Sequence, residues 1–122
     1  MSKKTVILGA STNPGRYSYL AAEMLTEYGH EVVLVGLKKG TVAGKELQDI
    51  RTWPKIASAG TVTLYIGPSH QGGLLEYITT LRPKRVIFNP GTENLELERA
   101  LEKEGIQVME ACTLVMLRSG QY

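Results

Sequence analysis

Apolar residues along the chain fall into two alternating patterns. Short, nearly unbroken apolar runs over Thr5 to Ala10, Glu31 to Gly36, Thr61 to Ile66, Val86 to Asn89 and Ile106 to Met109 read as five strands. One of them, Val32-Val33-Leu34-Val35, lacks the polar alternation of a half-exposed strand, which points to a sheet covered on both faces. Between the strands, apolar residues recur at every third or fourth position. Leu20, Ala21, Met24, Leu25 and Tyr28 predict a helix over Arg16 to Tyr28, stopped by Gly29. Leu74, Leu75, Ile78 and Leu81 predict one over Gln71 to Leu81, closed by Pro83. Leu97, Ala100 and Leu101 predict a third over Glu93 to Glu104, with Thr92 as N-cap and Gly105 as terminator. From Leu37 to Pro54 the chain is polar and punctuated by Gly40 and Gly44, with a short helix around Glu46 to Ile50. Thr113 to Leu117 fits either a last helical turn or an extended piece.

Strands that alternate with helices predict one α/β domain over residues 1–122, three layers deep. Its five-stranded parallel sheet would have right-handed crossovers and the strand order 3-2-1-4-5. A ligand would then lie beyond the carboxyl ends of the strands, at the switch point between the first and fourth, and Gly9, Gly36, Gly67, Asn89 and Cys112 would share that edge. At 122 residues the chain holds one core and has no room for a second, substrate-binding domain.

Composition narrows the classes of function. Hydrophobic content of 43% and charged content of 21% are ordinary for a globular protein. No apolar run approaches the roughly 20 residues of a membrane span. Met1 to Lys4 followed by a brief apolar run reads better as the approach to a first strand than as a leader peptide. A single cysteine, Cys112, excludes an internal disulfide and a cysteine-based metal cluster, and by default it suggests a reducing, cytoplasmic setting. A net charge of +2 gives no reason to expect nucleic acid, so the basic residues are better matched to one small anion. A protein partner or a weak homodimer stays open.

The densest chemistry lies between Thr5 and Tyr17. An apolar strand ends at Gly9, passes through Ala10, Ser11, Thr12, Asn13, Pro14 and Gly15, and opens into a helix. This is the front end of a Rossmann-type nucleotide site, in which small residues let the backbone approach a pyrophosphate and the helix start attracts the anion. The full G-x-G-x-x-G pattern is absent, and on motif grounds a tight turn without a ligand would read the same way. Arg16 stands at the helix start, where a cation has no favourable dipole partner unless an anion is present. At the end of the second strand, where a site for NAD carries an acid, the chain has Lys38 and Lys39. Lysines there favour a phosphorylated ribose, as in NADP or coenzyme A, with a solvated loop as the plain alternative.

Together these residues carry a resemblance. Gly9-Ala10-Ser11 with Pro14 and Arg16, the Tyr17-Ser18 pair, the Lys39-Gly40 to Gly44 loop, Asn89-Pro90-Gly91 and Glu110-Ala111-Cys112-Thr113 make the whole chain similar to the stand-alone CoA-binding Rossmann domain family. That family is similar in fold to the CoA-binding domain of the succinyl-CoA synthetase α subunit. The resemblance implies coenzyme A as cofactor, with the pyrophosphate on the Gly9 to Arg16 turn. The ribose phosphate would lie near Lys39, and Gly67-Pro68-Ser69 would line the adenine side. It carries binding over and not catalysis, since the phosphorylated histidine of the synthetases belongs to a much longer subunit. The candidate cofactor-binding residues are Gly9, Ala10, Ser11, Pro14, Arg16, Tyr17, Ser18, Gly36, Lys38, Lys39, Gly67, Pro68, Ser69, His70, Asn89, Pro90, Gly91 and Cys112.

Several of these, and a few others, have a bland reading beside the functional one. Cys112 would neighbour the thiol end of the ligand or serve as a small buried hydrophobe. His70 would bond a phosphate, act as acid or base, or cap the next helix. Glu93 would be a catalytic acid or a first-turn carboxylate. Trp53 and Tyr65 would stack on adenine or fill the core. The expected function is that of a small protein holding CoA or an acyl-CoA, with no catalytic residue and no metal. An NADP-dependent oxidoreductase and a regulatory module with a vestigial nucleotide site are the alternatives.

Overall fold

A computed structural model describes residues 4–122. In chain order the elements are β1 (Lys4–Ala10), α1 (Tyr17–Glu27), β2 (Val32–Gly36), β3 (Thr41–Val42), β4 (Lys45–Asp49) and β5 (Ala59–Leu64). They continue with α2 (Leu74–Leu81), β6 (Arg85–Phe88), α3 (Leu95–Lys103), β7 (Gln107–Glu110) and α4 (Thr113–Arg118). Short 3-10 turns occupy Ile50–Thr52 and Pro68–His70.

All the strands join one sheet in the order β3-β4-β2-β1-β5-β6-β7, parallel except for the β3–β4 hairpin. The expected order of five strands is corrected in two respects. The segment around Glu46 to Ile50 is not a helix. It is strand β4, which pairs with β2 through Leu34–Leu47, Val35–Gln48 and Gly36–Asp49. Its hairpin to β3 turns at Ala43 and Gly44, both with positive φ, as a two-residue turn between twisted strands requires. Consequently β5, expected at the outer position beyond β2, lies on the other side of β1, with Val6 opposite Val62 and Leu8 opposite Leu64. The parallel strands alone follow the doubly wound order 3-2-1-4-5-6, and the switch point falls between β1 and β5.

Alternation along each strand divides the core between the two faces of the sheet. Ile7 and Leu34 pack with Ala21, Ala22 and Leu25 of α1 and Leu114 and Leu117 of α4. Val6, Leu8, Val35, Val62 and Phe88 pack with Leu74, Ile78 and Leu81 of α2 and Leu97 and Leu101 of α3. The Thr113 region resolves to a helix. Two helix starts move inward from expectation. The Pro68–His70 turn comes first and α2 begins only at Leu74, after Gly73 in the left-handed region. The cap of α3 is Asn94 and not Thr92: the Asn94 side chain accepts from the Leu97 N–H at 3.3 Å, and Glu98 accepts from the Asn94 N–H at 3.1 Å.

Candidate functional site

Gly9 breaks the register near the end of β1, at a point where nothing larger fits. The residue has φ +97° and interrupts the β1–β2 register, and a Cβ on it would press into Ile66 and the Tyr65 carbonyl. Gly36, opposite Ala10, is constrained by proximity: a side chain there would be driven into the Ala10 carbonyl oxygen. Past these two glycines the carboxyl ends of β1, β2 and β5 frame a cleft of about 910 Å³.

Its lining brings together twelve of the residues named from sequence: Gly9, Ala10, Ser11, Arg16, Tyr17, Ser18, Gly36, Lys38, Gly67, His70, Pro90 and Gly91. Gly15, Leu37, Ile50, Tyr65, Ile66, Gly72 and Thr92 complete it. Arg16 and Lys38 give this surface two cations, and no carboxylate lines it. Arg16 is the N-cap of α1 and is exposed. No side chain caps this helix and no acid lies in its first turn, so the positive end of its dipole faces the cleft uncompensated. The arrangement suits an elongated anion with apolar parts, the latter against Leu37, Ile50, Ile66 and Pro90.

Six expected residues lie outside the lining: Pro14, Lys39, Pro68, Ser69, Asn89 and Cys112. Asn89 is 1% exposed, and its side chain is held inside the fold. Its Nδ2 donates to Thr63 Oγ1 at 2.7 Å and to the Leu64 carbonyl at 2.9 Å, and its Oδ1 accepts the Thr113 N–H at 2.9 Å. It thereby ties β5, β6 and α4 beneath the cleft. Cys112 is half-buried at the start of α4, among the residues packed on the Ile7 side of the sheet.

The residues that sequence reasoning passed over belong to long-range contacts. Thr92 accepts through its carbonyl from Gln71 Nε2 at 2.9 Å, and the same Nε2 donates to the Ile66 carbonyl at 2.9 Å, so one buried amide holds two stretches of the cleft wall together. Gln71 Oε1 in turn accepts from Asn94 Nδ2 at 2.8 Å. Tyr65 differs from these: its hydroxyl is buried without a partner, beside Thr63 and Thr113, whose hydroxyls bond each other at 2.7 Å. Burial pushes the phenol up to about 12. Among the described residues there is no cluster of three or more His, Cys, Asp or Glu side chains that could hold a metal ion, and no helix is long and apolar enough to cross a membrane.

Comparison with known proteins places this geometry. No curated protein matches the chain. A crystal structure of an uncharacterized protein shares 53% identity over 100% of this chain and 99% of its own, with a TM-score of 0.94. A Thermus thermophilus protein, at 23% identity over 99% of this chain and 91% of its own, has a TM-score of 0.83 and shows the likeness of fold. A hypothetical protein from Pyrococcus horikoshii does the same at 23% identity over 97% of this chain and 83% of its own, with a TM-score of 0.82. Residues 3–118 match the family described as CoA binding domain, and the chain belongs to that family.

Proposed function

We propose that this protein binds coenzyme A, free or acylated, in the cleft at the carboxyl edge of its sheet. The observation that carries the reading is the charge of that surface: Arg16 and Lys38 line the cleft and no carboxylate does. An anionic ligand meets no repulsion there, and the helix start behind Arg16 adds to the attraction. Family membership supplies the identity of the anion. In this reading the Gly9 to Arg16 turn and the Tyr17-Ser18 helix start hold the pyrophosphate, Lys38 faces the ribose phosphate with Lys39 beside it, and Gly67 and His70 border the base. The Rossmann character of the site belongs to the same reading and is supported by the doubly wound strand order.

A melting experiment with CoA, dephospho-CoA and NADPH tests it. At 100 times its dissociation constant, CoA should stabilise the fold by about 2.7 kcal/mol if it binds only the native state. Dephospho-CoA should give a distinctly smaller shift at equal concentration. Equal shifts would remove the ribose phosphate from Lys38 and Lys39, a larger shift with NADPH would replace CoA by a dinucleotide, and no shift with any of the three would leave a module with a vestigial site.

A further inference from the structure

Trp53 is the single tryptophan of the chain, and the sequence leaves it between stacking on adenine and filling the core. It stands at the end of the Ile50–Thr52 turn with φ +46°, a left-handed conformation that a bulky residue keeps only when its surroundings hold it there. Those surroundings are specific. Its N–H donates to the Ile50 carbonyl at 3.0 Å, and its ring lies 5.0 Å from that of Tyr77 at a tilt of 51°. The Tyr77 hydroxyl donates to the Pro54 carbonyl at 2.6 Å and so fixes the next residue as well. Gly73 passes under the indole closely enough that a Cβ on it would lie 3.1 Å from the ring. Despite these contacts the residue remains 44% exposed.

Position gives that exposure a use. Ile50 and Gly72 both line the cleft, and Trp53 is bonded to the first and rests on the neighbour of the second. Trp53 is not itself a lining residue; it adjoins the cleft through these two neighbours, where the end of β4 and the start of α2 meet. Leu37 and Lys38 bring the end of β2, the strand beside β4, to the same cleft. If Lys38 marks the ribose phosphate, the group next along the ligand on this side is the purine base.

We propose that Trp53 is an aromatic recognition residue for the adenine base, which packs against the exposed part of the indole at this edge of the cleft. The proposal rests on the CoA reading. The turn held by Tyr77 and Gly73 presents a preformed ring, so little side-chain freedom is lost on binding, and stacking on a purine face is favourable without any hydrogen bond.

Intrinsic fluorescence reports on this residue alone among tryptophans, and calorimetry reports binding independently of it. CoA and adenosine 3′,5′-bisphosphate should change the tryptophan emission saturably, each with its calorimetric dissociation constant, and pantetheine, which has no base, should leave the emission unchanged. Trp53→Ala should weaken CoA by about 5- to 100-fold, as loss of a base–aromatic stack does, and Trp53→Phe should keep most of the affinity. Should the alanine variant not fold, wild-type emission and the phenylalanine variant still decide the matter. CoA heat without any emission change, and with both variants within twofold of wild type, would make Trp53 a packing residue and leave the CoA reading standing. Absence of CoA heat in the wild type would overturn both.

Discussion

Two walls of the cleft are built in opposite ways. The Ser11 to Arg16 wall is largely exposed, and its hydrogen bonds are local: Asn13 N–H donates to Ser11 Oγ at 3.0 Å, Gly15 N–H to Asn13 Oδ1 at 2.9 Å, and Arg16 N–H to the Asn13 carbonyl at 3.0 Å. Across the cleft, the Asn89 to Asn94 wall is tied into the core by side chains from distant parts of the chain. Thr92 donates to the Asn89 carbonyl at 2.8 Å, Gln71 reaches the Thr92 carbonyl, and Asn89 is bonded to Thr63, Leu64 and Thr113. The first wall can settle around an anion at little cost to the fold, because water already solvates its polar groups. The second is a frame whose buried polar groups have no alternative to their present partners. Binding energy and folding energy are therefore expected to separate between the walls, and substitutions on each should show it.

The largest expected effect is on the frame. Asn89→Ala removes three bonds at once and leaves Thr63 Oγ1, the Leu64 carbonyl and the Thr113 N–H short of a partner in a site closed to water. At roughly 1 to 3 kcal/mol for a buried polar group left unpaired, with partial relaxation, the fold should lose about 3 kcal/mol or more. Chemical denaturation would measure it. A loss below about 1 kcal/mol would mean that the network is not the frame described and that the contrast between the walls fails.

Arg16→Ala should do the reverse. The side chain is exposed and makes no cap, so the ligand-free melting temperature should stay within a degree or two of wild type. Loss of a charge-assisted bond to phosphate corresponds to roughly 1.5 to 3 kcal/mol, so CoA should bind at least tenfold more weakly by calorimetry. A large drop in melting temperature without ligand would make Arg16 structural and merge the two walls into one kind.

The same division explains what could be read from the residues beforehand. Gly15 and Arg16 stand out in sequence because the exposed wall is made from consecutive residues whose conformations follow from local rules. Asn89 stands out too, as a ligand contact at the strand edge, and only the fold brings Thr63 and Thr113 to it and sets it beneath the cleft. Ile50, Gly72 and Thr92 were missed for the same reason, since their places depend on pairings across the chain. Thr92 and Asn94 are both good helix caps, and the choice between them falls to Gln71 and Asn89, which hold Thr92 in the core. β4 escaped because a strand with Leu47 as its one buried residue has too little apolar content to show a period of two.

The smallest effect concerns the one polar group of the frame that lacks a partner, the Tyr65 hydroxyl. Thr63 and Thr113 bond each other beside it, and the phenol, itself unpartnered, bears the cost of leaving water without the return of a bond. Tyr65→Phe keeps the ring and removes that cost, and it should leave stability at neutral pH unchanged or raise it by up to about 1 kcal/mol. The pH dependence gives an independent check. Burial raises the phenol from an ordinary value of 10.0 to about 12, so its contribution is fully present below pH 10 and is lost as pH rises from there through 12, where the unfolded chain ionises first. Tyr77, likewise pushed up to about 12 by burial, gives both proteins a residual decline in that window. The variant should therefore lose stability less steeply than wild type between pH 10 and 12, with the two curves parallel below pH 9. If Tyr65→Phe instead destabilises the protein by more than about 1 kcal/mol at neutral pH, the hydroxyl is bonded to the threonine pair in solution, and the frame has no unpaired group at this position.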